Sequence, residues 1–155
     1  MTPRSELFIK IKEALSGLPF FELIDWNKGQ FDNPENSLYG TIYTAALISV
    51  DGIEWGNRSG EVKEGTATIT ITLHTKDGYQ NQFEGVDDPH EGLSEIYLID
   101  QTTTALEFLT GEYFKPLQLT NEGGLPTTEG DFAYTLTYET TCFNQLPKRY
   151  VFNRL

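Results

Sequence analysis

The sequence predicts an α+β fold: a mainly antiparallel sheet of about five strands with two helices packed on it, in the order α-β-β-β-α-β-β. Three observations predict it. Residues 66–75 alternate without a break, with Ala67, Ile69, Ile71 and Leu73 on one side and Thr66, Thr68, Thr70, Thr72 and His74 on the other. A period of two is that of a half-buried strand. Residues 131–143 alternate again, with Phe132, Tyr134, Leu136, Tyr138 and Thr140 sharing a face. Two other segments instead repeat apolar residues at three- and four-residue spacing, which is helical.

The first helix carries Leu7, Ile11, Ala14, Leu15 and Leu18 on one stripe. Thr2 can cap it, Pro3 suits its first position, and Glu6 in the first turn favours its dipole. Gly17 and Pro19 stop it. A short apolar strand follows over 20–26, and 27–40 reads as a long polar loop with Gly29, Asn33-Pro34 and Gly40. The next strand region, 41–55, is interrupted at Asp51-Gly52. The interruption is either a two-residue hairpin or a bulge with Gly52 at the extra position. Short arms favour the bulge. Residues 56–65, with three glycines, read as a flexible turn before the alternating strand.

From 79 to 92 the chain is irregular and acidic. The second helix is expected over 94–110, capped by Ser94, favoured by Glu95 and ended by Gly111. Ile96, Ile99, Thr103 and Leu106 form one stripe, and Leu98, Thr102, Ala105 and Leu109 form another. An arc this wide is covered on more than one side, by its own sheet and by a second subunit. Residues 115–121 form a short strand in which Pro116 suits an edge or a start. A loop over 123–131 leads to the last strand, and 144–155 read as an extended tail with basic Lys148, Arg149 and Arg154.

The 155 residues suit one domain, 1–155, long enough to bury a core without disulfides. The single cysteine, Cys142, excludes an internal disulfide and reads as a small buried apolar side chain. The N-terminal residues lack the apolar stretch of a secretory signal, and no apolar run approaches a membrane span. Net charge is -12, from 11 Lys plus Arg against 23 Asp plus Glu, which argues against gripping nucleic acid by its phosphates. It is compatible with a surface past which DNA slides without sticking.

Motifs for chemistry are sparse. Asp87, Asp88, His90 and Glu91 are the one dense group of possible metal ligands, without the spacing of a metal site, and read as a solvated acidic loop before a helix N-terminus. His74 has the chemistry of a general base but sits where a cross-strand or interface residue is expected. Nucleophile elbow, phosphate-binding loop and dinucleotide fingerprint are all missing. Trp26 and Trp55 could stack a sugar or a base, yet each reads as ending a strand, where core closure or interface packing is commoner. Asn57-Arg58-Ser59 matches a glycosylation acceptor, which has no expected meaning without a secretory signal. No catalytic residue, cofactor or metal is therefore expected.

In element order and local pattern, residues 5–143 resemble the tail terminator and tail-completion proteins of long-tailed phages. The resemblance is carried by the helix around 7–11, the strands 21–26 and 53–55, the 65–74 strand, the 96–109 helix and the 134–143 strand. It implies a structural virion protein at the tail or neck, assembled in the host cytoplasm. Such a protein forms a ring, typically a hexamer, that caps the tail-tube protein and joins tail to head beside a head-completion protein, with DNA passing through unbound. It also implies assembly contacts. Trp55, Asn57, Arg58, Glu61 and Lys63 are expected to supply them around the 56–65 turn, Thr68, Thr70, Thr72 and His74 on the polar strand face, and Leu98 and Thr102 on the second helix. The alternatives are another phage neck protein and a non-phage α+β module for a glycan or small ligand.

Overall fold

The computed structural model describes residues 1–32, 44–76, 94–127 and 131–146, with the backbone alone of 57–59. The expected order is present: α1 (Pro3–Ser16), β1 (Leu23–Trp26), β2 (Thr44–Ser59), β3 (Val62–Thr75), α2 (Ser94–Leu106), β4 (Gln118–Gly124) and β5 (Phe132–Gln145). The strands form one five-stranded sheet in the order β1-β2-β3-β5-β4. The sheet is mixed: β1 runs parallel to β2, and every other pair is antiparallel. Residues 27–43, between β1 and β2, exceed the dozen or so that a parallel crossover needs.

β3 is the spine. It pairs with β2 on one side and with β5 along its whole length on the other, from Val62 opposite Gln145 to Thr75 opposite Phe132. Its 14 residues span ~46 Å. Ala67, Ile69, Ile71 and Leu73 are fully buried and join one core with Leu7, Ile11 and Leu15 of α1, Leu98 and Leu106 of α2, and Leu136 and Tyr138 of β5. Both helices thus lie on the apolar face of the sheet.

α1 forms as expected. Thr2 caps it, accepting from the Ser5 N–H at 3.3 Å while Ser5 Oγ accepts from the Thr2 N–H at 3.0 Å. Glu6 does more than meet the dipole. It is buried, and its carboxylate accepts the backbone N–H groups of Glu112 at 2.8 Å and Tyr113 at 2.7 Å. These bonds fasten the turn after α2 onto α1. Gly111 is needed there, because a Cβ on it would stand 2.5 Å from Phe114 and 2.6 Å from the Glu6 carboxyl carbon.

Several boundaries move. Asp51-Gly52 is a bulge inside the unbroken β2, and the extra residue is Asp51, not Gly52: Val50 faces Ile69 and Gly52 faces Thr68. Asp51 accepts hydrogen bonds from Ser49 at 2.7 Å and from Thr70. The 56–65 segment is hairpin rather than loop. β2 runs to Ser59 and β3 starts at Val62, with a second register shift between Trp55 and Arg58. The turn is Gly60-Glu61, with Gly60 at φ 59°, the conformation a two-residue hairpin asks of glycine at that place. Trp55 accordingly lies within β2 instead of ending it. α2 stops at Leu106, before the expected 110, and Phe108 takes a left-handed φ of 58°. Ser94 is the first helical residue and its hydroxyl donates to Glu95 at 3.1 Å. β4 extends through Gly123-Gly124, and β5 through Asn144 and Gln145.

Candidate functional site

The structure separates the expected contact residues into groups. Trp55 is half-buried on the helix side of the sheet, packed so closely over Gly65 that a Cβ there would lie 2.7 Å from its ring. The Lys63 ammonium caps the same ring, 4.6 Å from its centroid. Glu61 is exposed at the hairpin tip, where its carbonyl accepts the Leu146 N–H at 2.7 Å. Asn57 and Arg58 belong to the β2 arm of this hairpin, and their side chains lie outside the described residues.

Thr68, Thr70, Thr72 and His74 do share the opposite, polar face. Their cross-strand partners extend it: Thr70 stands between Ser49 and Thr137, and Thr72 between Leu47 and Thr135. The face is not uniform. Toward His74 it is closed, with Ala45, Leu47, Thr72 and Ala133 buried and Phe31 stacked on the imidazole at 4.7 Å. The turn after β1 carries Phe31 there. Gln30, itself buried, accepts from the Lys28 N–H and donates to the Trp26 carbonyl, and Gly29 takes φ 74°. Burial pushes the His74 pKa down, and the carboxylates of Asp32 and Asp131 oppose the shift. Thr72 is therefore part of the protomer's interior, not of a contact surface.

Away from His74 the polar face meets solvent. Thr68 and Thr70 are half-buried there, and Asp51, Glu54, Glu64, Thr66 and Glu139 are exposed. The alternation of β3 and β5 places Glu64 and Glu139 on this side, and the bulge at Asp51, which shifts the alternation of β2 by one residue, brings Glu54 there opposite Thr66.

Leu98 and Thr102 require correction. Both face inward, 5% and 0% exposed, and the Thr102 hydroxyl donates to the Leu98 carbonyl at 2.7 Å. Packing against α1 and the sheet consumes that stripe, so it offers nothing to a second subunit. The outward surface of α2 carries Ile96 and Tyr97, and exposed Phe108 follows the helix. Tyr97 meets Phe20 edge-on at 6.3 Å.

Among the described residues no three His, Cys, Asp or Glu side chains converge as metal ligands; Asp87, Asp88, His90 and Glu91 lie outside them. The Cys142 thiol is buried, which raises its pKa. Trp26 packs on Phe8 at 5.8 Å. No described helix is long and apolar enough to cross a membrane. Neither a scan against models of known protein families nor a search of curated proteins returned a match.

Proposed function

We propose that the protein is a non-catalytic structural subunit of a phage tail, forming a ring, of six copies in the resemblance, that caps the tail tube and joins it to the head. The reading rests on one observation: the order α-β-β-β-α-β-β, with both helices on one face of a single five-stranded sheet. That is the architecture the tail-terminator resemblance implies for this chain. Two further features suit it. The long β2–β3 hairpin ends in a tight turn available for contact with the tube. The net charge of -12 suits a surface past which DNA moves without adhering.

The same architecture would serve a neck protein at another position, and the test separates the two. Tail tubes assembled from the tube protein of the same phage are mixed with the purified chain and viewed by negative-stain electron microscopy. A terminator gives tubes of arrested length with extra density at one end. A neck protein of another position leaves tube growth unchanged and binds the head-completion protein instead. A chain that binds neither refutes both readings.

A further inference from the structure

We propose that copies of this chain associate head to tail, with the outer surface of α1 on one copy docked against the acidic polar face of the sheet on the next. The proposal names the subunit contact within the ring reading above and rests on that reading. It starts from a segregation of charge. The exposed part of the polar face carries four carboxylates, Asp51, Glu54, Glu64 and Glu139, and none of its described strand residues is lysine or arginine. Asp25, farther along, already has Lys28 at 3.6 Å, and Lys115 stands at the rim over the Phe143 ring. Between the carboxylates lie the hydroxyls of Thr66, Thr68 and Thr137, groups that can donate and accept, and that of Thr70, which donates to Asp51 and can still accept.

The complementary surface is on the other side of the same molecule. α1 turns Arg4, Ile9 and Lys12 outward, Lys10 is half-buried beside them, and Glu13 is the one exposed carboxylate of that helix. The outward surface of α2 has the wrong sign, since Asp100 is exposed on it, exposed Glu107 follows it, and residues 94–106 contain no lysine or arginine. Charge therefore selects α1. Its 14 residues are ~21 Å long, and the solvent-facing stretch of β3 from Glu64 to Thr70 is ~23 Å. The docked helix would convert the sheet, covered on one face by its own helices, into a three-layer arrangement.

Because the two surfaces lie on opposite faces of one subunit, the contact is heterologous and each docking leaves a free face at both ends. Such contacts close into a ring or run on as a filament. Electrostatic attraction between exposed groups is screened within ~8 Å at physiological salt, so the contact should weaken as salt rises.

Sedimentation velocity tests this on the full chain in about 50 mM and about 500 mM salt. The expected result is association that high salt weakens. It should become at least roughly tenfold weaker in Arg4→Glu/Lys12→Glu and, separately, in Glu54→Lys/Glu139→Lys, because each variant sets like charges against each other. Mixing the two variants restores both contacts and with them the assembly. The neutral pair Arg4→Gln/Lys12→Gln gives an intermediate loss and guards against variants that fail to fold, as circular dichroism will report. If the wild type associates but the reversals and the mixture change nothing, this contact is wrong and the ring reading stands. If the wild type stays monomeric in low salt up to about 1 mM, where even weak contacts register, the contact is overturned. The ring reading is then decided separately by the capping of tail tubes.

Discussion

Replacing Glu6 should cost this fold more than any other exchange of one polar side chain on α1. The carboxylate is 6% exposed and accepts two backbone N–H groups, at 2.8 Å from Glu112 and 2.7 Å from Tyr113. Hydrogen bonds to a charged group contribute about 1.5–3 kcal/mol each, and a buried donor left unpaired costs about 1–3 kcal/mol. Glu6→Ala strands two such donors at once. A loss of about 3–5 kcal/mol follows, allowing for water reaching the half-buried turn. Glu6→Gln keeps one acceptor but sets an NH2 group against the second N–H, so about half that loss is expected. Urea unfolding at pH 7, followed by tryptophan fluorescence, gives the midpoint and slope from which the difference is computed. In a thermal melt the alanine variant should unfold roughly 10 °C lower. A Glu6→Ala loss below about 1 kcal/mol would refute the reasoning, because it would mean that the two N–H groups find partners as good without the carboxylate.

Further expectations follow from single positions. Gly111→Ala should destabilise by about 1–3 kcal/mol, because its Cβ would meet Phe114 at 2.5 Å and Glu6 at 2.6 Å; an unchanged urea midpoint would sink the geometry of that turn. Phe108→Gly should stabilise by roughly 0.5–1 kcal/mol, since Phe108 holds φ 58° while 70% exposed and loses little burial; a destabilised variant would mean that its ring packs on something. Tyr138→Phe should be neutral or stabilise by about 1 kcal/mol, because the Tyr138 hydroxyl is buried with no hydrogen-bond partner among the described residues; a clear loss would show that it has one. His74 has a folded-state pKa below its ordinary value near 6.5. The unfolded chain therefore binds the proton first, and the His74 contribution is complete above about pH 6.5 and is lost as pH falls through the lower folded value. His74→Gln should flatten the stability profile between about pH 7 and pH 5, and equal slopes in the two proteins would contradict the assignment.

The sheet was legible because its pattern is local. β3 and β5 alternate over long stretches, and an alternating strand whose apolar side is Ala67, Ile69, Ile71 and Leu73 has one way to face a core. α1 was legible for the same reason, with Thr2, Pro3 and Gly17 each acting within one turn of its ends. What stayed hidden involves partners remote in sequence. Glu6 reads as a dipole residue until Glu112 and Tyr113 are seen to donate to it. The parallel direction of β1 is a property of the crossover and leaves no mark on its four residues. The 56–65 segment looked like a loop because glycines mark turns, whereas Gly65 is there so that Trp55 can lie against the strand and only Gly60 turns the chain.

The expected contact residues fall into exposed and buried groups for a physical reason. The wide apolar arc of α2 points to a second covering partner for Leu98 and Thr102, but a short helix packed beside α1 on the same face of the sheet buries such an arc within its own protomer. Thr72 is polar by sequence, but a threonine between Leu47 and Thr135 near the Phe31 turn is closed over by its own chain. Polarity and amphipathic width therefore do not distinguish an interface from an interior. Exposed charge is at least open to a partner: Glu54, Glu64 and Glu139 stand on a face with no lysine or arginine among its described strand residues, and a surface of opposite sign would complement them. If copies of the chain associate as proposed, the solvent-facing half of the strand face around Thr68 and Thr70 and the basic side of α1 are the surfaces left open for it, whereas the Leu98–Thr102 stripe of α2 is already buried.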